Sequence, residues 1–370
     1  MTDVTQTDLT ASAPARPDSA RSAHLFGPLV DFLLLGGGSI VLCAAIVLLL
    51  PRGIPSAQQL ALISIIMIAI NQPHFANSYQ LFYDNFREKA FGAAYPRNLR
   101  LRYIFAGIVV PAALLFFLVA ASLSGNPYAL GYGANLMFLT VGWHYVKQGY
   151  GILVLDSVQK RVFFSDAAKW IFRVNGYVCW SVSWIGLNHA LSQSQTYIGI
   201  PYYSFPVPEP IYYASIALAV VSGAASLVML VQRWRQPPGR LPWNGILAYV
   251  AAVYLWLIFI EINPVVLALV PTFHSLQYLA VVWRYQLNRR AETPELSFSF
   301  FVLTGVLLGF LGFTALPWLM ANMLPYDKTL LGPSLFLFAC YIFINVHHYF
   351  LDNVIWRREN PDMRYVFGRK

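Results

Sequence analysis

Five of the seven histidines in this 370-residue chain, His74, His144, His274 and the adjacent pair His347 and His348, lie inside long apolar stretches. Imidazole can ligate a metal, carry a haem or pass a proton, and an ionisable group kept in lipid is costly enough to mark a working site. Each histidine has polar companions at helical spacing: Asn71, Gln72 and Asn77 near His74; Lys147 and Gln148 near His144; Gln277 and Tyr278 near His274; Asp352 and Asn353 near the pair. Such neighbours fix a ligand's tautomer and ring orientation. Pro73 and Pro271 stand just upstream of two of the histidines, where a proline bends a helix and frees a backbone carbonyl.

The elements that must position these residues are membrane helices. The chain is 58% hydrophobic, 16% aromatic and only 11% charged, which excludes an ordinary soluble fold. Hydropathy broken by charge, proline and glycine predicts an all-α polytopic bundle of ten spans near 29–50, 58–82, 103–124, 129–154, 171–192, 211–231, 244–263, 265–284, 298–322 and 332–356. Residues 1–28 read as a disordered cytoplasmic tail, 29–356 as the membrane domain and 357–370 as a basic cytoplasmic tail. Cys43, Cys179 and Cys340 fall in apolar segments and form no metal or redox motif.

The 25 lysines and arginines set the orientation. They gather in the N-terminal tail (Arg16, Arg21), after the second span (Arg87 to Arg102), after the fourth (Lys160 to Arg173), after the sixth (Arg233 to Arg240), after the eighth (Arg284 to Arg290) and in the C-terminal tail. Arg52 and Lys328 remain for the opposite face and Lys147 lies within a span. By the positive-inside rule both termini are cytoplasmic, in a multi-pass protein of the inner membrane. The net charge of +9 then reflects topology and anionic lipid headgroups, with no nucleic acid implied.

This topology puts the histidines on the second, fourth, eighth and tenth spans, which run in the same direction. From His74 to Asp84, His274 to Arg284 and His347 to Arg357 is ten residues each, and from His144 to Asp156 twelve. At 1.5 Å per residue the imidazoles share a layer roughly 15 Å from the cytoplasmic interface. One intramembrane histidine serves equally well as an interhelical hydrogen bond; a common depth on four helices favours one site. His189, near the outer end of the fifth span, and His24, in the tail, read as interfacial or solvated, and Glu261 as a snorkelling acid.

An imidazole-rich, thiolate-free set suits Fe, Cu or Zn, and Fe(II) in particular for dioxygen chemistry. A lipid-soluble substrate could enter such a site laterally, with water excluded. The His-x-x-x-His and His-x-x-His-His boxes of membrane desaturases and alkane hydroxylases are absent.

Four segments, Gln72-Pro73-His74-Phe75, Trp143-His144-Tyr145, Phe273-His274-Ser275-Leu276-Gln277-Tyr278 and His347-His348 through Asp352 to Arg357, occur in an order that resembles the bacteriorhodopsin-related-protein and Blh-type membrane β-carotene 15,15'-dioxygenases. The resemblance covers about ten residues per segment and implies a histidine-held iron that splits a carotenoid at its central double bond. Two departures bear on it. Tyr278 stands where the family has a second histidine, and Ala76-Asn77-Ser78 stand where it has small residues and an acid. The resemblance, taken with the spacing, gives a membrane oxygenase in which His74, His144, His274 and His347 or His348 hold Fe(II) (Zn, Cu or haem being the other options). Gln148, Gln277 and Asp352 would support the ligands, and Tyr278 would lie near the open position. Tyr278 and Asp352 are then the candidate catalytic residues, with a lipid-soluble substrate and dioxygen as partners and no oligomeric state implied. The rival classes are a bis-histidine haem carrier, a proton-relaying transporter and an inactive carotenoid-binding subunit.

Overall fold

The computed structural model describes residues 23–50, 56–190, 196–255, 257 and 264–367, so Arg16, Arg21, Arg52, Glu261, Arg369 and Lys370 lie outside the described residues. The described chain is almost wholly helical. Its helices of eight residues or more are α1 (Pro28–Leu35), α2 (Gly37–Leu49), α3 (Ala57–Tyr83), α4 (Arg97–Leu123), α5 (Pro127–Gln159), α6 (Asp166–Ala190), α7 (Glu209–Arg235), α8 (Trp243–Leu255), α9 (Pro264–Glu292), α10 (Phe298–Met323) and α11 (Leu335–Ile355). A two-stranded ribbon, Thr196–Tyr197 with Ile200–Pro201, is the only sheet among the described residues.

Among the described residues five helices, α3, α4, α7, α10 and α11, are long and apolar enough to cross a membrane, and the α1–α2 pair makes a sixth if its 56° bend is counted within one span. The bend falls at Gly36, where the chain passes so close to α8 that a Cβ would lie 2.6 Å from the Leu247 carbonyl oxygen. Residues such as Leu48, Leu123, Phe116 and Val221 turn large apolar side chains outward, the surface a lipid-embedded bundle presents.

Proline shapes three of these helices in one way. A π-helical turn precedes the proline in each: Met67–Asn71 before Pro73, Phe105–Val109 before Pro111 and Leu311–Ala315 before Pro317. The ring has no N–H to donate and collides with the carbonyl four residues back, and a widened turn relieves both problems without ending the helix. The expected irregularity at Pro73 is therefore a π turn, and His74 follows it directly. Pro271 is carried inside α9, and its carbonyl lies 2.7 Å from Ser275 Oγ.

Small residues bring the helices together, since lipid offers little hydrophobic drive for association. At Gly309 of α10 a Cβ would come within 2.7 Å of the Gln72 carbonyl carbon on α3, and at Gly149 of α5 within 2.5 Å of Ala252 Cβ. α11 packs against α3, α4 and α5, and α9 packs against α3. The end of the bundle nearest Asp84 is closed by charge: Lys89 lies 3.4 Å from Asp362 and donates to the Leu81 carbonyl at 2.9 Å, while Arg289 pairs with Asp84. There the C-terminal segment docks, with Tyr365 and Val366 buried and the Tyr365 carbonyl accepting from Asn288 at 2.8 Å. Cys43, Cys179 and Cys340 are free thiols.

Candidate metal centre

Four of the five intramembrane histidines converge. His74 on α3, His144 on α5, His274 on α9 and His348 on α11 are all buried, and their ligand atoms lie within 4.8 Å of one another. The Nε2 atoms meet in sequence: His74 to His348 at 3.1 Å, His348 to His144 at 3.2 Å and His144 to His274 at 3.0 Å.

The fifth histidine points elsewhere. Successive helical residues are turned about 100° apart, so His347 and His348 cannot face the same side of α11. The Nε2 of His347 meets the Ala106 carbonyl at 2.9 Å and its Nδ1 meets the Tyr79 hydroxyl at 2.8 Å. Both ring nitrogens are thus engaged between α3 and α4, which corrects the expectation that either member of the pair could serve: His348 occupies the cluster. His189 meets the Val207 carbonyl at 3.2 Å and stacks on Tyr212, and His24 lies 3.5 Å from Asp31, both away from the centre.

The three contacts among the four facing nitrogens cannot all be hydrogen bonds. A neutral imidazole carries either one proton or one lone pair in the ring plane at Nε2, so each Nε2 can take part in one hydrogen bond. Three contacts join four atoms here, and the Nε2 atoms of His348 and His144 each face two neighbours. At most two of the contacts can be N–H···N bonds. A single cation at the centre would satisfy all four lone pairs, and the spacing suits one, because donors about 2.0–2.1 Å from an ion sit roughly 2.9–3.4 Å apart on adjacent positions. His74 is already set for that role: its Nδ1 faces the Asn71 carbonyl at 2.9 Å, which holds the proton at the back of the ring and leaves the lone pair on Nε2. The donor set therefore fits a metal ion. For the three contacting pairs a bis-histidine haem fits poorly, since axial nitrogens on opposite sides of a porphyrin are separated by about twice a 2 Å bond, beyond 3.0–3.2 Å.

The surrounding residues lock this arrangement. Ser275 Oγ donates to Asn71 Oδ1 at 2.7 Å and lies 3.1 Å from His74 Nδ1. Gln148 Nε2 donates to the His274 carbonyl at 2.9 Å and to Gln277 Oε1 at 3.3 Å, and Gln277 Nε2 donates to the Leu35 carbonyl at 2.8 Å. The two glutamines thus support the backbone behind His274, with no bond to an imidazole nitrogen. Lys147 and Asn353, both next to the site in sequence, pair with each other, and the ammonium lies 4.3 Å over the Trp143 ring. Asn77 turns toward Gly305 of α10.

Asp352 and Tyr278 are both at the cluster. Asp352 Oδ1 accepts from Ser78 Oγ at 2.8 Å and from the Tyr278 hydroxyl at 3.0 Å, and the Ser78 and Tyr278 oxygens are also in contact. Ser78, Tyr145 and Tyr349 are neighbours of the cluster to which the sequence alone assigned no role. Ser78 sits four residues after His74 on the same helix face, a spacing that could have revealed it. Tyr145 stacks on His274 with centroids 4.1 Å apart, and Tyr349 on His144 at 4.7 Å. In each case the residue after one cluster histidine covers the ring of another, a pairing that only the helix phases disclose.

A cavity of about 1270 Å³ lies one to two helical turns from the cluster, and none of the four histidines lines it. Met67, Val141 and Pro271, upstream of His74, His144 and His274 on their own helices, line it together with Phe138, Trp180 and Tyr254. Its rim includes Val220 and Leu227 of α7, which face outward.

No protein-family model matches the chain, and no curated protein or solved structure does either.

Proposed function

We propose that the protein is a ten-span oxygenase of the cytoplasmic membrane, with both termini on the cytoplasmic side, that cleaves an extended isoprenoid or carotenoid-like substrate at an iron centre held by His74, His144, His274 and His348. The observation that carries this reading is the convergence of four buried imidazole nitrogens, with a large apolar cavity one to two helical turns away. The span count is supported by helix length: beyond the six apolar candidates, α5, α6 and α9 have 33, 25 and 29 residues, and a crossing needs about 20. α8 covers the first part of the remaining span, expected over 244–263, and most of the rest of that span lies outside the described residues. Basic clusters at one end would lie against anionic headgroups.

Iron(II) held by nitrogen donors supplies reactivity toward dioxygen when bound. Cleaving one carbon–carbon double bond with one dioxygen molecule gives each carbon one oxygen atom. Atoms and electrons then balance without an external reductant, in keeping with a chain that has no redox motif of its own. The protein's part is positioning and exclusion. Val141, Pro271 and Met67 would hold the apolar chain one or two turns from the histidines, Tyr145 and Tyr349 would cover the rings, and the open rim at α7 would admit substrate from the bilayer.

Metal analysis of the detergent-purified protein beside His144→Ala and His274→Ala variants tests the centre. The parent is expected to retain about one equivalent of iron after anaerobic, iron-replete purification and each variant to lose it; a metal-free parent would favour the proton-relay class instead. Expression in carotenoid-accumulating cells tests the reaction, with loss of the polyene absorbance and appearance of aldehyde products expected in the parent alone.

A further inference from the structure

Asp352 is placed differently from a carboxylate that merely orients a ligand. Such a group ordinarily accepts from the N–H at the back of a metal-binding imidazole. The back nitrogens of His274 and His348 have no hydrogen-bond partner, and Asp352 does not approach them. Its Oδ2 instead lies 3.6 Å from Nε2 of His348 and 3.7 Å from Nε2 of His144, on the inner side where the histidine nitrogens face one another. That oxygen is buried and has no hydrogen-bond partner, whereas Oδ1 takes both hydroxyl donors, Ser78 and Tyr278.

We infer that Asp352 Oδ2 is a fifth metal donor, an inference that rests on the metal-centre reading above. The 3.6 and 3.7 Å distances to His348 and His144 fit, because donors around one ion with bonds of about 2.0–2.2 Å are roughly 2.9–4.3 Å apart. Charge also favours it. Four neutral imidazoles leave a divalent ion its full charge among apolar helices, and one carboxylate halves it. Ser78 and Tyr278 anchor Oδ1 and so aim Oδ2 at the centre. Tyr278, four residues after His274, thus positions a carboxylate donor from the neighbouring helix in place of ligating directly.

Co(II) is the probe. Its affinity is measured by chelator competition, and its visible ligand-field spectrum recorded, for the anaerobic metal-free parent, Asp352→Asn and the control His347→Ala. Asp352→Asn is expected to weaken Co(II) by at least about 100-fold and to change the spectrum, with His347→Ala unchanged in both. Parent-like affinity and spectrum in Asp352→Asn would overturn the inference while leaving the four-histidine centre standing. A parent that binds no Co(II) overturns the centre itself and the inference with it. Should Asp352→Asn not fold, the parent alone decides the matter by infrared difference spectroscopy with ¹³C-carboxyl-labelled aspartate: a metal-dependent shift of a carboxylate stretch supports the inference, and its absence on Zn(II) loading refutes it.

Discussion

The hydroxyl of Tyr278 donates to Asp352 Oδ1 across 3.0 Å, linking α9 to α11 one turn beyond the histidine that each contributes to the cluster. Removing that hydroxyl leaves the carboxylate with Ser78 as its remaining hydroxyl donor. Tyr278→Phe is therefore expected to keep metal stoichiometry but weaken metal affinity about 10-fold, and to lower stability by about 1 kcal/mol. Chelator competition and detergent melting curves on the same preparation check both; an affinity equal to the parent's would show that Ser78 alone fixes the carboxylate.

The adjacent histidines should separate cleanly. His348→Ala removes a nitrogen that contacts two others in the cluster and is expected to abolish metal retention. His347→Ala breaks bonds to Tyr79 and the Ala106 carbonyl, at a cost of about 1–3 kcal/mol with metal content intact. Elemental analysis beside thermal melting distinguishes the two; equal metal loss in both would mean that His347 reaches the centre.

Two glycines of α10 make a graded test of helix packing. A Cβ at Gly305 would meet the side-chain oxygen of Asn77 at 2.3 Å, and one at Gly309 the backbone of Gln72 at 2.7 Å. An amide can rotate away and a backbone cannot. Gly309→Ala is therefore expected to destabilise by about 1–3 kcal/mol, more than Gly305→Ala, and to disturb metal binding because Gln72 is two residues from His74. A larger effect at Gly305 would contradict the order.

Lys89 supplies a pH dependence outside the spanning helices. Burial pushes its ammonium below the usual lysine range, with the charge of Asp362 opposing the shift. Between that lowered pKa and the ordinary value of 10.5 the unfolded chain binds more protons, so stability rises with pH across the interval. The contribution cannot exceed about 1.4 kcal/mol per pH unit. Melting of the parent and Lys89→Gln across the alkaline range should show this slope in the parent only.

Counting residues along each span was enough to bring the histidines to one depth, and four of the five meet. Depth is a one-dimensional quantity that charge clusters calibrate. Rotation about each helix axis was harder to read, and it separates His347 from His348. A usable signal was present, since His348 has Asp352 four residues on while His347 has Leu351 there. The inner placement of Asp352 depends on how α11 is turned against α3 and α5, which no single helix encodes. The spacing put Gln148 with His144 and Gln277 with His274, whereas Gln148 donates to the His274 carbonyl and Gln277 to the Leu35 carbonyl, more than 200 residues away in sequence.

That distant carbonyl belongs to Leu35, the last residue of α1, and it is available to Gln277 because the helix breaks at Gly36. The break sits where α8 leaves no space for a side chain, so the kink and the polar contact are one construction. From Leu35 the hydrogen bonds run through Gln277 and Gln148 to the His274 carbonyl. A helix pair that gives no imidazole to the cluster thereby sets the height of one that does. Insertion of a single residue at this hinge would be felt as a misplaced nitrogen at the centre, and the α1–α2 segment belongs to the centre's architecture as much as the four helices that bear the histidines.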